Sequence, residues 1–280
     1  MTPRNEALIH LDGESLPGRI FLFCLVVELL LVGLDAFINY GRFIDIGPIR
    51  RLFNITREDG LATWFMVMQT FLAGLVLWLI TLVQRSRSAS RSNWLSWGFL
   101  SGFFIYMSAD DAAEIHERLG STFKDLLKTN QRETSDSLLA QVQGMFPSYD
   151  WQLVALPLLA GAGLFMLFFL LTEFKDRKSR VILFSAAGLM AIAVLLDFFE
   201  GLDKANPWNP LSWIRESFTL SNYTVRHFSK SIEEFLEMCS ISLLLMLFIA
   251  RLIDRITPQL TVNVNIAPLA TNKPSNKRPF

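Results

Sequence analysis

The sequence predicts an all-α fold, a polytopic membrane helical bundle with about six transmembrane helices. Three observations lead there. Six segments approach the ~20 apolar residues that a helix needs to cross a bilayer. Of the 280 residues, 51% are hydrophobic, 24 are Phe and 7 are Trp, and the mean hydropathy is +0.35. Such values belong to a membrane protein rather than a soluble domain. Finally, 26 basic and 26 acidic residues cancel overall, but they are segregated: Lys and Arg crowd the short connections, and many acids lie inside apolar segments. No basic region points to nucleic acid. Cys24 and Cys239 both lie in apolar stretches and read as packing residues.

The segments run over roughly 19–40, 61–83, 94–116, 152–172, 181–202 and 231–253. The first is too long for a signal-peptide core and reads as a span. The second begins after RLFNITREDGLATWF, an interfacial anchor in which Arg51, Arg57, Glu58 and Asp59, with Arg50 just before them, lie on the outer side beside Trp64. The third, fifth and sixth are apolar at one end and acidic at the other. The fourth, LVALPLLAGAGLFMLFFLL, has no charge, and Pro157 is expected to kink it. Residues 1–18 read as a cytoplasmic segment, 19–256 as the membrane domain and 257–280 as a disordered cytoplasmic tail. The connections 41–60, 117–151 and 203–230 are expected on the outer side, with short interfacial helices in ERLGSTFKDLLKT and SDSLLAQVQGMF.

Orientation follows from the short basic connections. QRSRSASRSN carries Arg85, Arg87 and Arg91; EFKDRKSR carries Lys175, Arg177, Lys178 and Arg180; Arg251 and Arg255 follow the last span. With six spans these share one side, so both termini are expected in the cytoplasm of a multi-pass protein of the cell (inner) membrane.

The spacing Asp111-x-x-Glu114, Asp197-x-x-Glu200 and Glu234-x-x-Glu237 recurs near the outer ends of three spans. An acid in or near hydrocarbon is costly and marks a functional site by default. Asp110, Asp111, Glu114 and Glu117 fall within about 120° of helical arc, and His116 points away from it. Glu28, Asp35 and Asn39 form a narrow stripe on the first span, with Glu28 near its middle. So many carboxylates need protons or a cation among them; Lys204, Arg226, Lys230 or a bound metal would supply it. The expected metal ligands are Asp111, Glu114, Asp197, Glu200, Glu234 and Glu237, around a divalent metal ion of unspecified identity. His227 and Asp110 are the expected catalytic, proton-moving groups, and Glu28 and Asp35 are intramembrane polar residues. Glu117, Asp203 and Glu233 lie close to the interface, where solvation is the alternative.

MSADDAAEIHERLG, with RLFNITREDGLATWF upstream and SIEEFLEMCS downstream, resembles a family of uncharacterised bacterial polytopic membrane proteins. That family carries an acidic pair followed by Ile-His-Glu at a helix end and a later Glu-Glu-x-x-Glu helix start. A more distant resemblance is to the seven-helix membrane hydrolases that include alkaline ceramidases. Those build a zinc site partly from a late His-x-x-x-His, whereas this chain has only His10, His116 and His227.

Three functions are compatible with this pattern. The first is a metal-dependent membrane hydrolase acting on a lipid or envelope substrate. The second is a cation or proton-coupled transporter using Glu28 and the cluster. The third is a non-catalytic assembly or sensing subunit. Membrane lipids are the expected partners. Six spans are few for a monomeric transporter, so oligomerisation stays open. The inner halves of the segments offer only scattered Thr81, Ser101, Ser185, Ser240 and Ser242, which favours a pocket open on one side over a through-path.

Overall fold

The computed structural model describes residues 13–87, 90–131 and 146–256. The expected disordered tail, the start of the chain and most of SDSLLAQVQGMF lie outside the described residues. Ten α-helices and no strand occur among the described residues. They are α1 (Leu16–Asp35), which continues as a π-helical turn over Ala36–Tyr40, α2 (Gly47–Leu52), α3 (Leu61–Ser86), α4 (Arg91–Ala113) and α5 (Ile115–Gln131). After these come α6 (Asp150–Val154), α7 (Leu156–Glu173), α8 (Arg177–Gly201), α9 (Pro210–Ser217) and α10 (Asn222–Ile256).

Five helices are long and apolar enough to cross a membrane: α1 with its π-turn, α3, α7, α8 and α10. Several candidate spans in one chain make this a multi-pass membrane protein. Their outward faces carry Phe23, Leu29, Leu158 and Phe168, all exposed, as lipid-facing residues must be. The third expected span is different. α4 has 23 residues, but its serines, glycines, asparagine and paired aspartates lower its apolarity below that of the five.

α4 nevertheless lies antiparallel along the whole of α3. Ser101 Oγ donates to the Gly74 carbonyl and Ser108 Oγ to the Val67 carbonyl, each at 2.9 Å. The core between them is Ala73, Leu77, Ile80, Trp97, Leu100 and Phe104, closed by Leu245 and Phe248 of α10. Small residues permit the approach: a Cβ on Gly74 would meet Ile105 Cγ1 at 2.8 Å.

Local chemistry sets the helix ends. Ser90 and Asp176 cap α4 and α8 by accepting the backbone N–H of Asn93 and Ser179. Pro157 stands in the first turn of α7, after a break at Ala155, so it starts that helix rather than kinking it. α10 begins nine residues before its expected start, and the expected connection 203–230 is correspondingly shorter. Its polar first turns persist because Val225, His227 and Ser229 are buried against the bundle.

The two ends of the bundle differ in charge. At one end Glu173 forms an ion pair with Arg251, lies 3.5 Å from Arg255 and accepts from Asn93 Nδ2 at 2.6 Å. Arg85 stacks over Trp94 there. The three short basic connections therefore gather at one end, and the acids gather at the other.

Candidate functional site

α1 brings its narrow polar stripe against α3 and α10. Glu28 is fully buried at the middle of that contact. Its Oε1 accepts from Gln69 Nε2 at 2.9 Å and from Ser242 Oγ at 2.6 Å, and its Oε2 accepts from Cys239 Sγ at 3.2 Å. Three helices are thus tied together by one carboxylate, a node that satisfies donors that hydrocarbon could not.

Two turns along α1, Asp35 accepts from Asn39 Nδ2 at 2.9 Å, bonds His227 Nε2 at 2.8 Å and accepts from Ser231 Oγ at 3.3 Å. Tyr223 stacks on the His227 ring at 5.4 Å. Asp35 and His227 are both buried. The imidazole expected as a free proton carrier is therefore locked to an aspartate of α1.

Asp110 makes the second such pair. α4 stops at Ala113 because Glu114 adopts a left-handed conformation, φ 53°, which is costly for any residue with a Cβ. The turn brings His116 back onto Asp110, with Nδ1 at 2.7 Å from Oδ2 and the backbone N–H donating to Oδ1 at 2.9 Å. Trp151 lies edge-on to the imidazole. Burial opposes the charged form of His116, but the Asp110 carboxylate outweighs it and raises the pKa. The helical-phase argument set His116 aside because it assumed an unbroken helix through residue 117. The left-handed residue that breaks it is not encoded by Gly or Asn, so no sequence signal announced it.

The same break corrects the expected ligand set. Asp111, Glu114, Asp197, Glu200, Glu234 and Glu237 do reach one end of the bundle, but they do not converge as ligands. Glu114 leaves the helical face and joins Glu58 and Glu117. Among the described residues, that trio is the one acidic group whose donor atoms all lie within 4.8 Å of one another. Of the other five, Asp197, Glu200 and Glu234 face basic or amide partners. Gln152 Nε2 donates to Asp197 at 2.8 Å. Arg226 lies 3.4 Å from Glu200. Lys230 lies 2.7 Å from Glu233 and 3.6 Å from Glu234. Asp111 is near enough to Glu234 and Glu237 for their charges to interact. Lys230, one of the expected neutralising groups beside Lys204 and Arg226, thus lies against Glu233 and Glu234. Glu233, expected near solvent, is buried; Asp203 and Glu117 are exposed.

Glu58 entered the sequence reading as part of an interfacial anchor. It is exposed, but partial desolvation, Glu117 and Glu114 push its pKa up to about 7, against the pull of Lys230. Its neighbour Asp59 is held at about 2 by bonds from Arg51 and Arg57. Gln69 and Gln152, neutral residues with no spacing to single them out, are the other participants sequence reasoning missed.

Beside this cluster lies a cavity of about 340 Å³, bounded by the end of α8, the 202–209 loop, α9, the start of α10 and Tyr149. Glu200 and Arg226 belong to both cavity and cluster. One buried oxygen of its lining, Glu200 Oε2, has no hydrogen-bond partner; Glu233 Oε2, Gln152 Oε1 and Ser229 Oγ, which do not line it, are buried and unpartnered as well. Such orphans at a polar centre call for a donor from outside the chain.

The family model described as Domain of unknown function (DUF8692) matches residues 20–251, which takes in every helix that builds this end of the bundle. No curated protein and no solved structure matches the chain.

Proposed function

The chain belongs to the DUF8692 family, and on that premise we propose that it is a membrane hydrolase acting on a lipid or envelope substrate at the acidic end of the bundle. In this reading α4 completes six spans in the cell (inner) membrane. Both termini are cytoplasmic, and the Glu173 end faces inward by its Lys and Arg. The single observation carrying the proposal is the junction of the cavity with the cluster at Glu200. This acid lines the cavity and keeps a buried oxygen without a partner. It is placed to accept a proton from an attacking water, with Arg226 beside it and the Lys230 group behind.

The other half of the bundle supports a one-sided site. Thr81 donates to the Leu77 carbonyl, Ser101 to that of Gly74 and Ser240 to that of Ala186, and Ser242 is spent on Glu28. For a divalent ion, Glu58, Glu114 and Glu117 have the oxygen convergence such a cation needs. Elemental analysis of the purified protein beside Glu58→Gln tests that assignment: metal in wild type and none in the variant is expected.

The activity test is release of water-soluble headgroup from mixed phospholipid micelles. Glu200→Gln is expected to lower turnover by roughly 10²-fold or more while leaving the thermal midpoint near wild type. Full turnover in that variant overturns the assignment.

A second reading, proton-coupled transport, is favoured by Glu28, a fully buried acid at the centre of the bundle. Protein-dependent proton flux into liposomes that disappears in Glu28→Gln would favour it over hydrolysis.

A further inference from the structure

We infer that the cavity between α8, α9 and α10 binds a phosphate group presented at the membrane surface, in a lipid headgroup. This deepens the hydrolase reading and rests on it for the site. Three cations line the cavity: Lys204, Arg215 and Arg226. The partners the two arginines already have are weak ones. Arg226 reaches Glu200 at 3.4 Å from a half-exposed position, and Arg215 pairs at 3.2 Å with its exposed neighbour Glu216. The Arg215 pair, whose carboxylate is largely exposed, contributes little and can be exchanged for a phosphate, which guanidinium groups bind in a planar, two-pronged geometry; Glu200 is largely buried, so Arg226 would serve it and the phosphate together.

The cavity walls are built in advance. Asn209 Oδ1 accepts the backbone N–H of Leu211 at 3.0 Å, and its Nδ2 donates to the Leu202 carbonyl at 3.2 Å. Ser212 Oγ donates to the Lys204 carbonyl at 2.9 Å. Asp203 turns one carboxylate oxygen to the Ala205 N–H at 2.7 Å, so Glu200 faces the three cations as the other acid of the lining. On the far wall Ser148 Oγ donates to the Phe198 carbonyl at 2.9 Å and so fixes Tyr149.

The depth matches a headgroup. Trp208, Trp213 and Phe218 beside the cavity are 83%, 66% and 64% exposed. Aromatic side chains so placed at the end of a membrane bundle belong at the lipid headgroup level. A free solute would not require such a belt.

The test uses the detergent-purified full chain, titrated calorimetrically with three probes: dihexanoyl phosphatidylglycerol, dihexanoylglycerol and inorganic phosphate. The expected result is saturable binding of the phospholipid, at least tenfold weaker binding of the phosphate-free lipid, and weak binding of inorganic phosphate. Lys204→Gln, at an exposed position, should lower phospholipid affinity several-fold, and Lys204→Gln with Arg226→Gln at least tenfold. Equal binding of the phosphate-free lipid, or unchanged affinity in both variants, overturns the inference. Inorganic phosphate binding as tightly as the lipid supports the phosphate chemistry and assigns its source to the free anion. Phosphate binding without any turnover overturns the hydrolase reading alone. Turnover of a phosphate-free lipid without phosphate binding overturns this inference alone.

Discussion

A carboxylate held in the middle of a membrane bundle survives only if its neighbours replace water, and Glu28 shows how few are needed. Gln69, Ser242 and Cys239 supply three donors from two helices. Glu28→Ala removes the acceptor and leaves the Ser242 hydroxyl and the Cys239 thiol buried without one, while Gln69 keeps its bond to Ser242 Oγ; the loss costs about 1–3 kcal/mol. A lower thermal midpoint in detergent is the expected outcome, with the same far-ultraviolet circular dichroism. Glu58 makes the opposite kind of prediction. Its folded pKa of about 7 lies above the ordinary 4.5, so the folded state binds the proton more tightly. The stabilisation from Glu58 is therefore full below pH 4.5 and is lost as pH rises through 7. A wild-type midpoint that falls over that window, and falls less in Glu58→Gln, is expected; identical slopes would refute it. Much of the residue-scale picture was legible. The i, i+7 spacing of Glu28 and Asp35 showed a polar stripe, and charge arithmetic pointed to Lys230 as a neutralising group. The partners Gln69, Gln152 and His116 were not legible, because a lone amide or a histidine off the helical phase has no pattern to distinguish it from a surface residue.

Helix periodicity carries its information only while the helix continues, and α4 shows where that fails. Phase placed Glu114 on the ligand face and His116 off it. The left-handed turn at Glu114 reverses both placements. Glu114→Gly relieves a backbone strain of roughly 1–2 kcal/mol and removes one carboxylate beside Glu58. The variant should keep or raise the thermal midpoint and bring the Glu58 pKa down, read as a shift of the pH–stability profile to lower pH. The contact between α3 and α4 is the other sensitive element. A Cβ at Gly74 would meet not only Ile105 Cγ1 at 2.8 Å but the Ile105 backbone nitrogen at 3.2 Å. A side chain there has to push the helices apart, and Gly74→Leu is expected to destabilise by roughly 1–3 kcal/mol, visible as a lowered midpoint. The existence of these two helices was readable from length and apolarity. Their closeness was not, since Gly-rich runs are common in membrane helices and only one of these glycines faces a backbone.

Across the whole molecule the charge pattern and the packing agree on which residues share an end. Arg251 and Arg255 of α10 meet Glu173 of α7 beside Asn93 of α4, while Asp35, Asp110, Asp197 and Glu234 lie at the far end of the same helices. This agreement was reached from sequence by counting Lys and Arg in short connections, a quantity that does not depend on side-chain detail. The number of spans was harder, because α4 is less apolar than the five candidate spans while its serine hydroxyls bond to α3. The cavity could not be foreseen, because it forms where the chain from Glu200 to Arg226 folds back on itself against Tyr149. Topology can be tested without assuming any activity. Trp208 flanks the acidic end and Lys178 the basic end, and both are exposed, whereas Cys24 and Cys239 are buried and should resist a polar thiol reagent. In intact cells Trp208→Cys is expected to react with a membrane-impermeant maleimide, and Lys178→Cys to react only after permeabilisation. The reverse result would place the acidic end in the cytoplasm. Reaction of both in intact cells would mean that the two ends do not lie on opposite sides of a membrane, and the spanning role of α8, which separates these positions, would have to be given up.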